Sequence, residues 1–228
     1  MPSLLLFDID MTLISTLRAG RTAIDAAFQQ EFGVTDAIAD IAVDGRTDYA
    51  IFTEIIANCG AAPDGNLHAA FDRVARAYLE HLPKTIAERK GQILPGVIDL
   101  LDAVRETHPA LGLATGNMAR GAQIKLTHFG LWERFSAGGF GDNDAVRAEV
   151  VAQGIRALAG CIGCDADPAQ ALVIGDTPLD VEAAHHAGAK ALAVATGKYD
   201  VATLQSSGAD WVLPDFSDTA AALAILRG

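Results

Sequence analysis

The stretch Ser3-Leu4-Leu5-Leu6-Phe7-Asp8-Ile9-Asp10-Met11-Thr12-Leu13 decides how the rest of the chain is read. Leu4 to Phe7 is an apolar run bounded by charge and too short for a membrane span, which suits a strand buried on both faces of a parallel sheet. The run ends in carboxylates. In open parallel α/β sheets ligands bind beyond the carboxyl ends of the strands, which is where Asp8 and Asp10 fall. An i, i+2 spacing on a strand aims both side chains to one side. Two carboxylates held close repel each other unless a cation or a shared proton intervenes, so the pair points to a Mg²⁺ site or to a split acid/base pair. A strand ending in a solvated acidic turn is the plainer alternative.

Working outward, the pattern after this strand becomes helical. Apolar residues recur at helical spacings over 17–32, 49–59 and 67–82, with breaks at Gly33, Gly45, Gly60 and Gly65 and no strand between them. An all-helical block after the first strand of an α/β chain reads as an inserted subdomain. From Ile93 strands and helices alternate. Strands are expected at 110–114, 136–140, 171–174, 190–194 and 211–213. Helices are expected through Val97 to Val104, at 119–129, 144–159 and 179–187, and from about 218. Parallel neighbours need crossovers, so the expected fold is α/β: a doubly wound, Rossmann-like parallel sheet formed by 1–15 and 91–228, with an α-helical insert over 16–90.

A second apolar strand also runs into acid, in Val173-Ile174-Gly175-Asp176-Thr177-Pro178-Leu179-Asp180. Pro178 suits a helix start, Asp176 sits at the strand tip facing the crevice, and Asp180 lies one helical turn later. Carboxylates from two strand ends, completed by water and phosphate oxygens, suit Mg²⁺; a helix N-cap is the alternative for Asp176 alone. The middle strand ends in Thr115-Gly116-Asn117, where a hydroxyl and backbone N–H groups near a helix start form an anion cradle, or a plain N-cap. Thr115 would hold a phosphoryl oxygen. A phosphoryl group in transfer also needs positive charge, and Arg147 is the best placed base; Lys125 is the other candidate, unless it lies on a solvated helix face. In Gly45-Arg46-Thr47-Asp48 the mixed charge and glycine hinge suggest that Arg46 faces the substrate, a surface turn being the alternative. His185-His186 is read as an exposed or interfacial helix face rather than a metal site.

The opening stretch resembles the first motif of the haloacid dehalogenase-like hydrolases, an apolar run followed by Asp-x-Asp-Gly-Thr, with Met11 where that pattern carries Gly. Arg147-Ala148-Glu149-Val150-Val151 resembles the family's third motif, which more often carries Lys. Four motifs stand in the family's order between residues 8 and 180, so the resemblance covers essentially the whole chain. It implies that the helical block is a cap placed as in phosphoglycolate phosphatase-like members. It also implies that Asp8 attacks phosphorus to give an aspartyl-phosphate, and that Asp10 is the acid and base. Mg²⁺ would be held by Asp8, Asp176 and the Asp10 carbonyl, with Asp180 behind them. Dehalogenating members lack the second Asp of the first motif, so Asp10 argues for phosphate chemistry. The expectation is a Mg²⁺-dependent phosphatase acting on a small phosphorylated metabolite. The runner-up is a sugar phosphomutase, which shares these residues and differs in the cap. A receiver-like signalling module also combines strand-end Asp residues, Thr and Mg²⁺, but has no use for a helical insert.

Composition bounds the partners. With 17 Lys and Arg against 29 Asp and Glu, the 228-residue chain carries a formal charge of −12, which argues against a nucleic-acid backbone as partner but not against a small phosphorylated ligand. No signal segment and no run of about 18 apolar residues is present, so a soluble cytoplasmic protein is expected. Cys59, Cys161 and Cys164 are read as reduced thiols, and Cys161-x-x-Cys164, lacking a second ligand pair, as loop or core. Oligomeric state is left open.

Overall fold

The residues of β1 (Leu4–Phe7) have no exposed surface, as expected of a strand covered on both faces. The structure, a computed structural model, describes residues 3–62, 65–108 and 110–227. After β1 come β2 (Ile14–Ser15), α1 (Ala19–Phe32), α2 (Asp48–Cys59), α3 (Leu67–Arg89), β3 (Gln92–Ile93) and α4 (Val97–Val104). The chain continues through β4 (Gly112–Thr115), α5 (Ala119–His128), β5 (Ala137–Phe140), α6 (Arg147–Ile162), β6 (Ala171–Gly175) and α7 (Pro178–His186). It ends with β7 (Lys190–Val194), α8 (Val201–Ser206), β8 (Trp211–Leu213) and α9 (Thr219–Arg227).

Six strands form one parallel sheet in the order β5-β4-β1-β6-β7-β8. The chain builds β4 and β5 on one side of β1, then crosses to build β6, β7 and β8 on the other. That reversal puts a topological switch point, and with it a crevice, at the C-terminal end of β1. Leu5 and Phe7 pack with Leu113, Ile174 and Val194 beneath α4 and α9. Leu4 and Leu6 face the opposite layer, where Val151 and Ile155 of α6 and Val181 of α7 cover them. The period of two in the strand thus feeds two apolar cores, one on each sheet face. Gly154 lets α6 lie close on the sheet, since a Cβ there would stand 2.6 Å from Leu6 Cδ2.

The helical block has its own apolar cluster, built on Phe28, Phe52, Phe71 and Tyr78. Phe52 and Tyr78 meet edge to face at 5.3 Å between ring centroids. The helix expected to end at 82 instead runs through Pro83 to Arg89, because Leu82 and Ile86 keep its apolar stripe buried. The antiparallel pair β2–β3, Ile14 against Ile93 and Ser15 against Gln92, forms a neck at the two ends of the block. Strands of two residues carry no readable alternation, so the sequence did not reveal them. The short helix α8, capped by Asp200 accepting from the Thr203 N–H at 2.8 Å, was missed for the same reason. The helix expected from 144 begins at Arg147. Among the described residues no helix is long and apolar enough to cross a membrane. All three cysteines are free, with Cys161 and Cys164 exposed.

Candidate active site

Beyond β1 the backbone keeps its pairing for one more residue, the Asp8 N–H donating to the Ile174 carbonyl at 2.8 Å. It then turns tightly: the N–H groups of Leu13 and Ile14 both donate to the Ile9 carbonyl, and Met11 N–H donates to the Ile14 carbonyl. Met11, at the position where the family pattern has Gly, adopts φ 58°. The turn is therefore made in the left-handed region by a residue with a side chain, at a cost of about 1–2 kcal/mol. The Thr196 hydroxyl donates to the Met11 carbonyl and helps hold it. Both acids before this turn reach the β4–α5 segment, Asp8 by the Thr115 hydroxyl and Asp10 by the Asn117 and Lys125 side chains.

Asp8, Asp176 and Asp180 converge, each offering a carboxylate oxygen within 4.8 Å of the others, and all three are buried. Asp176 leaves the tip of β6, and Asp180 sits in the first turn of α7. There the Thr177 and Asp180 side chains cap each other's backbone N–H groups, with Pro178 opening the helix. The Arg147 guanidinium, at the first residue of α6, donates to Asp180 Oδ1 at 2.6 Å and to Asp8 Oδ1 at 2.8 Å. Against the pull of burial, those two carboxylates hold Arg147 above its usual range. Burial pushes Asp8 up to about 6, opposed by the Arg147 charge and reinforced by Asp180 and Asp10. Asp176 is pushed well above the usual carboxylate range by burial and by Asp180, Asp8 and Asp10. It has no ion pair among the described residues, only the Thr12 hydroxyl at 3.5 Å. A buried carboxylate that lacks a counter-charge, beside two others, is the donor set a small divalent cation takes. The loop after β7 closes this side: a Cβ on Gly197 would overlap Asp176 Oδ2.

On the other side of Asp8, Thr115 ends β4, and its hydroxyl hydrogen-bonds Asp8. The Asn117 side-chain NH₂ donates to the Thr115 oxygen at 2.8 Å and to Asp10 Oδ2 at 2.8 Å. Lys125, from α5, donates to the same Asp10 oxygen at 2.5 Å and to Asn117 Oδ1 at 2.6 Å. Lys125 is therefore buried and turned onto Asp10, not spread on a solvated helix face. Lys125 lies in the last turn of α5, on the buried stripe it shares with Gly121, Ala122 and Leu126.

The segment before α2 docks on the same loops. The Asp48 N–H donates to the Gly116 carbonyl at 2.7 Å and the Tyr49 N–H to the Gly141 carbonyl at 3.1 Å. Asp48 Oδ2 accepts from the Met118 N–H at 2.8 Å. The Arg46 backbone carbonyl lies so close to Gly116 that any Cβ there would overlap it. The Arg46 guanidinium pairs with Glu54 at 2.6 Å and donates to the Ala42 carbonyl at 2.9 Å, both on its own segment. Asp48 and Thr12 stand inside stretches quoted from the sequence but were given no role there, and nothing local marks Gly197, whose place against Asp176 is set by distant packing. His185 and His186 are exposed, and His185 is held by Asp210 at 3.1 Å.

Burial raises the Asp48 carboxyl to about 6, against the attraction of Lys125 and the Met118 hydrogen bond. The folded state then binds this proton more tightly than the unfolded chain, so the stabilisation it brings is present below about pH 4 and lost as pH rises through about 6. Asp48→Asn, whose amide oxygen can still accept from Met118, is expected to remove that slope. Urea denaturation of the metal-free protein at pH 4.5 and 7 should show the wild type losing about 2 kcal/mol more than the variant across this interval. Equal losses in the two proteins would contradict the assignment.

Comparison with known proteins places the chain in a family. The family model described as haloacid dehalogenase-like hydrolase matches residues 5–194. The chain is 29% identical over 220 residues to a phosphoglycolate phosphatase of Rhodospirillum rubrum, covering 95% of this chain and 89% of the relative. It is 30% identical over 221 residues to a phosphoglycolate phosphatase of Synechococcus elongatus, covering 94% and 93%. Among solved structures, it is similar to the crystal structure of a predicted phosphoglycolate phosphatase of Haemophilus somnus. The TM-score is 0.70, with 21% identity and 97% of each chain covered.

Proposed function

We propose, from the premise that this chain belongs to the haloacid dehalogenase-like hydrolases and is a phosphatase of their phosphoglycolate phosphatase-like type, that it is a Mg²⁺-dependent phosphatase acting through an aspartyl-phosphate on a small phosphorylated metabolite. The reading rests on one observation above all: the convergence of Asp8, Asp176 and Asp180 at the sheet's switch point, with a single guanidinium between two of them. Asp8, Asp176 and the main-chain carbonyl of Asp10 would hold Mg²⁺, with Asp180 behind them. Bound there, the ion would supply positive charge to the phosphoryl oxygens and keep Asp8 ionised.

In this reading Asp8 attacks phosphorus, and the bond to the ester oxygen breaks as Asp10 gives that oxygen a proton. Water then attacks the aspartyl-phosphate, giving a proton back to Asp10 and releasing inorganic phosphate. Thr115 and the Gly116 and Asn117 backbone cradle the phosphoryl oxygens, and Arg147 balances their charge from the α6 side. Residues 16–90, carrying α1–α3, are the cap that covers the site. The names of the relatives suggest a short phosphorylated acid such as 2-phosphoglycolate as substrate.

Inorganic phosphate measured over many turnovers from a panel of phosphorylated acids and sugars tests this. Release is expected to continue to exhaustion and to fall at least about 100-fold on chelation, returning with Mg²⁺. Undiminished release in chelator would contradict the metal assignment. Interconversion of phosphate position without release would point to a mutase instead. Because a Cβ on Gly197 overlaps Asp176 Oδ2, Gly197→Ala is expected to raise the Mg²⁺ concentration for half-maximal rate by about 10-fold or more, with far-ultraviolet circular dichroism unchanged.

A further inference from the structure

Lys125 is a buried ammonium that the phosphoryl chemistry above does not use. Its Nζ is 2.5 Å from Asp10 Oδ2 and 2.6 Å from Asn117 Oδ1, and its side chain is 6% exposed against 38% for Asp10. An ammonium has donors only, so Asn117 must turn its amide oxygen to Lys125, which in turn aims the Asn117 NH₂ at Asp10 Oδ2 and Thr115. Asp10 Oδ2 thus accepts from two groups that cannot accept in return. Oδ1 of Asp10 has no hydrogen-bond partner among the described residues, on a carboxylate whose side chain is part exposed. The helical block walls in this clamp: a Cβ on Gly20 of α1 would lie 3.8 Å from Lys125 Nζ and 3.9 Å from the Tyr78 hydroxyl of α3.

Resting on the acid/base role given to Asp10, we propose that Lys125 is a positioning residue that anchors Asp10 by Oδ2 and presents Oδ1 to the ester oxygen. As the Asp8–phosphorus bond forms and the phosphorus–ester bond breaks, the Oδ1 proton goes to the departing oxygen. When water attacks, its proton returns to Oδ1 as the Asp8–phosphorus bond breaks. Asn117 is the second arm of the clamp, and the cap helices α1 and α3 keep the ammonium out of water.

A leaving group that needs no proton separates this role from a general one. Single-turnover release at saturating Mg²⁺ is compared for an alkyl phosphate, 2-phosphoglycolate, and for p-nitrophenyl phosphate. Lys125→Met is expected to slow the alkyl ester about 100-fold or more while slowing the nitrophenyl ester less than about tenfold, with KM little changed. Lys125→Arg should recover part of the loss. Adding Lys125→Met to Asp10→Asn should slow the alkyl ester no further, because both remove the same proton delivery. Equal slowing of both esters, or none, would overturn the proposal; if Lys125→Met does not fold, Lys125→Gln carries the same comparison. Asp8→Asn is the control for the reading beneath. Its inactivity on both esters leaves an equal-slowing result to count against Lys125 alone, whereas turnover retained in Asp8→Asn overturns both.

Discussion

Asp8→Asn is expected to leave less than about one part in 10³ of the wild-type turnover while the fold is kept. The amide is isosteric with the carboxylate, so the buried slot between Thr115 and Arg147 stays filled, and Asp180 still pairs Arg147 at 2.6 Å. What disappears is the anionic oxygen that would bond to phosphorus. Since burial already pushes Asp8 up to about 6, removing its charge spares the folded state a desolvation cost. The melting temperature of the metal-free variant should therefore match or exceed that of the wild type. Phosphate release is measured on fresh protein whose mass excludes deamidation back to Asp. Turnover within about tenfold of wild type would remove Asp8 from the nucleophile's role.

Arg147→Met should show the largest loss of stability. Arg147 is the only cation that the structure places in ion-pair contact with Asp8 and Asp180 among the described residues. Without it the three convergent carboxylates are left buried and facing one another. Losing one partner from such a group costs about 3–5 kcal/mol. The sign of the pH effect follows. Without the guanidinium the folded-state carboxyls hold their protons more tightly than in the unfolded chain, so the deficit grows as pH rises. Urea denaturation of metal-free protein should show a larger gap between variant and wild type at pH 8 than at pH 5, and Mg²⁺ should narrow it at pH 8. Arg147→Lys keeps a charge but not the two-carboxylate reach of a guanidinium, and should fall between them. A gap that shrinks with rising pH would contradict this account of the cluster.

The fold was legible because its signals are local. Leu4–Phe7 is apolar on both faces and ends in acid, Ala171–Gly175 repeats the pattern, and the helical block carries a different period. Strand-end acids are also local features, so Asp8, Asp10 and Asp176 could be named from spacing alone. Directions are not local. The i, i+2 spacing names Asp8 and Asp10 but not what each meets, because Arg147, Asn117 and Lys125 come from segments far along the chain. Lys125 read equally well as a surface lysine, because what buries it comes from Asp10, Gly20 and Tyr78, more than forty residues away in sequence. For Arg46 the partner is nearer in sequence: Glu54 pairs with it.

The direct test of the central claim is the covalent state of Asp8 during turnover. Wild-type protein with Mg²⁺ and saturating substrate is quenched in acid within one turnover, digested, and the peptide containing Asp8 is weighed. The account predicts that this peptide carries the mass of one phosphoryl group, at a level that rises and decays with the burst of leaving group, and that the label is absent in Asp8→Asn. A burst of product with no phosphoryl group on the protein, or with the group on another residue, would contradict it.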